Sequence, residues 1–205
     1  MAADTRETKG VVLDKRAQVL DAAVRIFSER GYRGTSMWDL AKAVQLSKPA
    51  LYHYVTSKEA LLVELYEGVT VEGVKSARRM LSLDLPPIDA IRDLLVERIV
   101  YTCENRRLLQ IFFEEEAEIP AELMRTMRQQ RRAYEDSLIE LLNRGVTDGS
   151  IKFDSTPRIV VNALLGAAHW TYKWFDPEGA KSAQQLAEEL ADVLLLGLKT
   201  RRKGR

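Results

Sequence analysis

The chain has 205 residues, enough to bury a sizeable core in one or two domains. Apolar residues make up 46% and charged residues 30%, as in globular proteins, and no apolar run approaches the roughly 20 residues that cross a bilayer. The N-terminus lacks a signal-peptide core, and the single cysteine, Cys103, has no internal disulfide partner. We therefore expect a cytoplasmic protein that does not interact with membranes.

The net charge of +1 is unevenly distributed. Residues 1–58 hold ten basic against six acidic side chains, residues 59–198 hold sixteen against twenty-four, and the last seven residues add five basic ones. A basic N-terminal segment followed by an acidic one is the electrostatic pattern of a DNA-binding protein, with a chance fluctuation as the alternative.

The N-terminal residues predict an arm and then a helix. Residues 1–13 are polar and aperiodic, which favours a loose arm. Asp14 is a candidate N-cap for a helix that ends before Gly31. Four apolar residues form the expected buried face of this helix: Leu20, Ala23, Val24 and Phe27.

Two short helices joined by a tight turn follow. The first has Thr35 or Ser36 as its N-cap and four apolar residues at helical spacing: Met37, Leu40, Ala41 and Val44. Ser47 caps the second, where Pro49 is acceptable only in the first turn. This pattern indicates a helix-turn-helix, whose second helix can enter the major groove of DNA. That helix carries apolar anchors, donors and flat rings: Ala50, Leu51, Lys48, Tyr52, His53 and Tyr54.

A longer helix is expected from about Ser57 to Leu81. Thr56 and Glu59 predict a capping box at its start. Lys58 then lies in the first turn, where its ammonium is placed to meet a phosphate.

From Arg16 to Leu65 the chain resembles, without a gap, the DNA-binding domain of the TetR family of bacterial transcription regulators. The matching segments are FSERGYRGTSM and DLAKAVQLSKPALYHYVTSKEALL, in which SKPALYHY followed by SKEALL is the most specific part. Val55 departs from the aromatic residue that the family usually has there, although a β-branched apolar side chain can fill the same small core.

The resemblance implies particular DNA contacts. Tyr52 and Lys58 match positions that bind phosphates, and Thr35 or Ser36 adds a contact with the DNA backbone. The first turn of the recognition helix approaches base edges together with His53, and comprises Ser47, Lys48, Pro49 and Ala50. His53 has no Ser, Cys or Asp partner at a motif spacing, which favours DNA contact over catalysis. Tyr54 fits the small core better than DNA.

The remaining sequence has helical and not alternating periodicity. Apolar stripes indicate helices over residues 88–102, 108–113 and 123–145, the first of them after a linker from Leu83 to Pro87. Pro157 opens a helix to about Phe175, and the last runs from about Ala180 to Lys199. We predict an all-α fold of about nine helices, with a helix-turn-helix domain at residues 1–58 and a ligand-binding and dimerisation domain at residues 59–205.

The last two predicted helices carry small and aromatic residues at three-four spacing. The first offers Ala163, Ala167, Trp170 and Trp174, and the second offers Leu186, Leu190, Val193 and Leu194. These stripes suit either a monomer core or a four-helix bundle formed by two chains. TetR-like proteins generally dimerise through their last two helices, and two DNA-binding domains are needed to reach successive major grooves. We therefore predict a homodimer on an inverted-repeat, double-stranded DNA operator.

Single polar groups among apolar ones predict an effector cavity in the second domain. Its expected lining is Leu62, Tyr66, Ile99, Cys103, Phe112, Met127, His169, Trp170 and Lys173, although a structural role suits each of the polar ones as well. The segments FFEEEAEIP and HWTYKWFDPEG, and the helix between them, resemble the branch of the family that senses acyl-CoA thioesters and governs lipid or sterol breakdown. This resemblance implies a small, largely apolar effector.

Two charged groups in this domain have alternative interpretations. Glu114, Glu115, Glu116 and Glu118 have no histidine or cysteine at ligand spacing, which favours a solvated face over a metal site. The long helix carries three arginines on one face: Arg125, Arg128 and Arg132. They could bind an anionic ligand or form ion pairs with Glu122 and Glu135.

No catalytic nucleophile, base or metal site can be assembled, and no cofactor is expected. The predicted function is a ligand-responsive transcription regulator, specifically a repressor. A constitutive DNA-architectural dimer and a small helical enzyme are the alternatives.

Overall fold

The computed structural model describes residues 2–114 and 121–198. The elements assigned within these ranges are nine α-helices: α1 (Ala2–Arg30), α2 (Met37–Ala43), α3 (Lys48–Tyr52), α4 (Lys58–Ser82), α5 (Pro87–Glu104), α6 (Arg106–Glu114), α7 (Ala121–Thr147), α8 (Pro157–Trp174) and α9 (Ala183–Leu195). The predicted all-α class is therefore confirmed. Among the described helices, none combines the length and apolarity that a membrane span requires.

The chain divides into two compact units. Among the described residues, the N-terminal unit comprises 2–69, 107–114 and 121–125, and the C-terminal unit comprises 70–106 and 126–198. The division falls within α4 and not at Lys58, so the first three turns of α4 belong to the same unit as the helix-turn-helix. α6 belongs to the N-terminal unit as well.

The first helix differs from its prediction at its start and in its buried face. It begins at Ala2, so the loose arm predicted for residues 1–13 and the N-cap at Asp14 are wrong. No proline interrupts this stretch, and a single interior glycine, Gly10, costs only about 1 kcal/mol. The buried residues are Val19, Ala22, Ala23, Ile26 and Phe27, whereas Leu20 and Val24 are only half-buried.

Side-chain caps fix the ends of the short helices. Ser36 is the N-cap of α2, and its capping box with Asp39 includes a backbone N–H to carboxylate bond of 2.9 Å. Ser47 caps α3 by accepting the N–H of Ala50 at 3.2 Å, as predicted. The cap of α4 is Ser57 and not the predicted Thr56, because the Ser57 hydroxyl accepts the N–H of Ala60 at 3.0 Å.

The C-terminal unit is built around α5, against which both α8 and α9 pack. Four residues of α5 are almost fully buried at helical spacing: Ile91, Leu94, Leu95 and Ile99. Each such side chain contributes roughly 1.5–3 kcal/mol through its burial. Prolines open α5 and α8 as predicted, whereas α9 begins three residues after Ala180 because Ser182 and Gln185 form a capping box there.

Candidate functional site

The third helix presents its polar side chains to solvent. Leu51 is fully buried beneath it, and Val55, which follows it, is buried as well, so the expected small core is formed. Lys48, Tyr52 and His53 lie on the exposed side. Pro49 and Ser47 are also exposed, and Ala50 is half-buried. This surface combines one cation with further hydrogen-bond donors, which suits contact with a polyanion.

Arg16 of α1 holds the C-terminal end of α3 in place. Its Nη1 donates to the carbonyl oxygen of Tyr54 at 2.6 Å, and its Nε and Nη2 donate to the carboxylate of Glu64 at 2.8 and 2.7 Å. The Glu64 carboxylate raises the pKa of the Arg16 guanidinium. Three segments of the N-terminal unit thus meet at one side chain. Sequence reasoning missed this contact because partners 38 and 48 residues apart leave no periodic signal.

Lys58, the first residue of α4, reaches the connection between α1 and α2, where Thr35 lies. The ammonium of Lys58 donates to the carbonyl oxygens of Tyr32 and Thr35, at 2.7 and 2.9 Å, and lies 4.2 Å from the centre of the Tyr32 ring. Thr35 is buried, and its hydroxyl donates to the carbonyl oxygen of Gly31 at 2.9 Å. The hydroxyl of Thr35 is therefore turned into the loop, and the contact of Thr35 or Ser36 with the DNA backbone stays a prediction. Ser36 is exposed but engaged as a cap.

The predicted effector lining falls into separate groups. In the N-terminal unit, Leu62, Tyr66 and Phe112 are buried, and the Tyr66 hydroxyl donates to the Phe112 carbonyl at 3.2 Å. In the C-terminal unit, Ile99 and Cys103 are buried. Burial is also the main reason that the pKa of the Cys103 thiol is raised, which makes it unreactive.

The other predicted lining residues lie on α7 and α8. Met127 and His169 are half-buried. Trp170 and Lys173 are exposed, unlike the other residues predicted for this lining, and their part in an effector site stays a prediction. They share the outward face of α8 because helical spacing places residues 170, 173 and 174 together.

An arginine that the sequence prediction omitted lies on the inward side of α5. Arg98 follows Leu94 and Leu95 by one helical turn and precedes the buried Thr102 by another. Its guanidinium carbon lies 4.8 Å from the centre of the Tyr134 ring. Burial, Arg98 and Arg131 together lower the pKa of His169 to about 3, which keeps this imidazole neutral. A cation at a helical core position was the available signal.

The outward faces of α8 and α9 are unusually apolar. Trp170 is 58% exposed, Trp174 50% and Val193 63%. Of the other residues predicted for this face, Ala163 is exposed, whereas Ala167, Leu186, Leu190 and Leu194 are half-buried. Ile159 and Leu196 are further large apolar residues that are exposed, and they were not predicted. We call these outward faces of α8 and α9 the α8–α9 face.

The charged groups of α7 are mostly paired with one another. Arg125 lies 3.4 Å from Glu122, whereas Glu135 accepts from Arg131 at 3.0 Å and from Arg158 at 3.1 Å. Within the described ranges, no group of three or more potential ligand residues could hold a metal ion. The residues Glu115, Glu116 and Glu118 of the predicted acidic cluster lie outside the described residues, as does the side chain of Glu114.

Comparison with known proteins gives matches to both parts of the chain. Residues 19–65 match the family described as bacterial regulatory proteins, tetR family. Residues 84–198 match the tetracyclin repressor-like C-terminal domain. The HTH-type transcriptional repressor KstR2 of Mycobacterium tuberculosis is 24% identical over 195 residues, which cover 92% of this chain and 95% of that protein.

Solved structures match along most of the chain. The TetR family regulator PfmR from Thermus thermophilus is 30% identical, with a TM-score of 0.79 over 89% of this chain and all of that one. AibR, solved in complex with isovaleryl coenzyme A and operator DNA, is 25% identical, with a TM-score of 0.75 over 87% of this chain and 97% of that one. These proteins are transcription regulators and not enzymes.

Proposed function

Because the chain belongs to the TetR family of bacterial regulatory proteins, we propose that it is a homodimeric repressor that leaves an inverted-repeat operator when a largely apolar effector binds. The observation that carries this proposal is the exposed donor surface of α3, formed by Lys48, Tyr52 and His53 above the buried Leu51. A helix so supported presents its side chains to a major groove without first having to order its backbone. We propose that the protein acts in the cytoplasm, where bacterial DNA lies.

The dimer is supported by the α8–α9 face. Large apolar side chains at Trp170, Trp174 and Val193 are half or more exposed in one chain, which is costly in water unless a partner covers them. A symmetric pairing of this face buries the same residues on both chains. A dimer also has two recognition helices, and successive major grooves, about 34 Å apart, require two.

The repressor activity and the effector class are supported by the relatives. KstR2 is a transcriptional repressor, and AibR was solved with an acyl-CoA and operator DNA. We infer an acyl-CoA thioester of a long or polycyclic chain as the effector. If the effector favours, by a few kcal/mol, a state in which the two DNA-binding domains are differently spaced, operator affinity falls many-fold.

The proposal is tested by fluorescence anisotropy with the duplex upstream of the native gene. We expect saturable binding that a long-chain acyl-CoA reverses at micromolar concentration and that the free acid reverses less well. Binding that no acyl-CoA reverses favours a constitutive DNA-architectural dimer instead. Failure to bind any inverted-repeat fragment of the upstream region contradicts the regulator assignment.

A further inference from the structure

Arg98 is a half-buried cation without a carboxylate partner among the described residues. Its Nε is shielded from solvent and has no hydrogen-bond partner there. Its neighbour in sequence, Glu97, is engaged elsewhere, because it accepts from Arg79 at 2.7 Å and from the Ser76 hydroxyl. A guanidinium that is partly removed from water and left unpaired is costly, so a fold that retains one usually has a use for its charge.

The groups around Arg98 leave its charge uncompensated. The rings of Tyr134 and Tyr101 lie 4.8 and 5.9 Å from the guanidinium carbon. Burial raises the pKa of both phenols, so neither becomes an anion near neutral pH. His169 is also neutral. The surroundings therefore offer the cation π-faces and the Tyr134 hydroxyl, whereas the Glu97 carboxylate, which also acts on Tyr134, is bonded to Arg79 and Ser76.

The backbone of α4 leaves room for this guanidinium. A Cβ atom at Gly73 would overlap with Nη2 of Arg98, so a glycine is what permits the close approach. Nearby, the hydroxyl of Thr70 on α4 is bonded to the side-chain oxygen of Gln130 on α7. Residues of α4, α7 and α8 thus lie close to the Arg98 side chain of α5: Gly73, Tyr134 and His169.

We propose that Arg98 is the anchor for an anionic oxygen group of the effector, either the carboxylate of an apolar acid or a phosphate of a coenzyme A thioester. A guanidinium binds such a group through two parallel N–H to oxygen bonds, and these are strongest where water is excluded. In this proposal the apolar part of the same ligand contacts the ring of Tyr134. This inference rests on the proposed function, because it assigns a binding group for the effector proposed above.

The test compares Arg98→Met with the wild type by calorimetry. The probes are dodecanoyl-CoA, dodecanoic acid, coenzyme A and the neutral dodecan-1-ol. We expect Arg98→Met to lose about tenfold or more in affinity for the anionic probes that the wild type binds, and to bind the alcohol within about twofold of the wild type. Arg144→Met is the matched control, because Arg144 is an exposed arginine of the same unit, and its affinities should not change.

Two further measurements separate anchoring from a structural role. Gly73→Ala keeps the charge but displaces the guanidinium, so it should weaken the same anionic probes without affecting the alcohol. The melting temperature of ligand-free Arg98→Met should equal or exceed that of the wild type, because an unpaired, half-buried charge has been removed. A fall of more than about 4 °C indicates a structural role and overturns the proposal.

The probes also identify the source of the anion. Competition by coenzyme A alone indicates a phosphate, whereas binding of dodecanoic acid well above the alcohol indicates a carboxylate, and either supports the anchor. The anchor is overturned if the wild type binds no anionic probe more tightly than the alcohol. It is also overturned if Arg98→Met binds the anionic probes as much more tightly than the alcohol as the wild type does. If dodecanoyl-CoA still releases that variant from the operator as it releases the wild type, the anchor is wrong while the proposed function stands.

Discussion

At the scale of single residues, the two tyrosines at the end of the recognition helix have opposite environments. Tyr52 is 44% exposed, whereas Tyr54 is half-buried and its carbonyl is bonded to Arg16. Tyr52→Phe removes only a hydroxyl, so we expect about fivefold weaker binding to all duplexes alike, the loss of one phosphate hydrogen bond. Tyr54→Phe is the matched control. Equal affinities of wild type and Tyr52→Phe would place the phosphate contact elsewhere.

His169 gives the protein a predictable sensitivity to acid. Its pKa is lowered to about 3 by burial and by Arg98 and Arg131, against about 6.5 in the unfolded chain. The unfolded state therefore takes up the proton first, and the contribution of His169 to stability is complete above pH 6.5 and declines as the pH falls towards 3.

The corresponding variant is His169→Gln. Between about pH 7 and pH 5, the wild type should lose roughly 1–2 kcal/mol of unfolding free energy more than the variant does. Urea titrations at each pH measure this difference, and His53→Gln, at an exposed position, serves as the control. If the unfolding free energies of wild type and His169→Gln change with pH in parallel, the pKa of His169 does not differ between the folded and unfolded states.

At the scale of elements, the first turn of α4 is fastened to the loop before α2. Lys58 bonds two carbonyl oxygens of that loop, so any displacement of the start of α4 is passed to the helix-turn-helix through short polar contacts. The same ammonium retains a third hydrogen, which we propose is donated to a phosphate.

Lys58→Met should therefore have two effects. The unfolding free energy should fall by about 1–3 kcal/mol because two carbonyls lose a charged donor, and the slope of log affinity against log salt should become shallower by about 0.9. Lys75→Met, which removes an exposed lysine of the same helix, is the control. A loss of stability with an unchanged salt slope would show that Lys58 bonds the loop carbonyls and does not bind a DNA phosphate.

At the scale of the whole molecule, the α8–α9 face is expected to determine the oligomeric state. Trp170→Asp places a charge within this apolar surface, so it should give monomers. Operator affinity should fall at least tenfold because the two DNA-binding domains no longer bind together. Trp38→Asp is the matched control, since Trp38 is 59% exposed against 58% for Trp170 but lies on α2. Sedimentation velocity that detects an intact Trp170→Asp dimer would move the interface to another surface.

Local features were predictable because a few neighbouring residues suffice to form them. The caps at Ser36 and Ser47, the prolines that open α5 and α8, and the apolar stripe of α5 all depend on residues within one or two turns. The same reasoning erred where two local solutions were nearly equal in energy, as between Thr56 and Ser57 at the start of α4. Family resemblance over residues 16–65 then supplied the kind of function, and the comparisons confirmed it.

The sequence by itself thus determined the all-α class, most helix boundaries and the regulator family, because periodicity, capping and motif are properties of contiguous residues. Only the tertiary structure decided which side chains of distant helices meet. It brought Arg16 to Glu64 across 48 residues, and it placed Arg98 beside Tyr134 and near His169. It also turned Lys173 outwards and the hydroxyl of Thr35 inwards. Burial and pairing are properties of three-dimensional packing, and spacing along the chain does not specify which partners a partly buried charge will have.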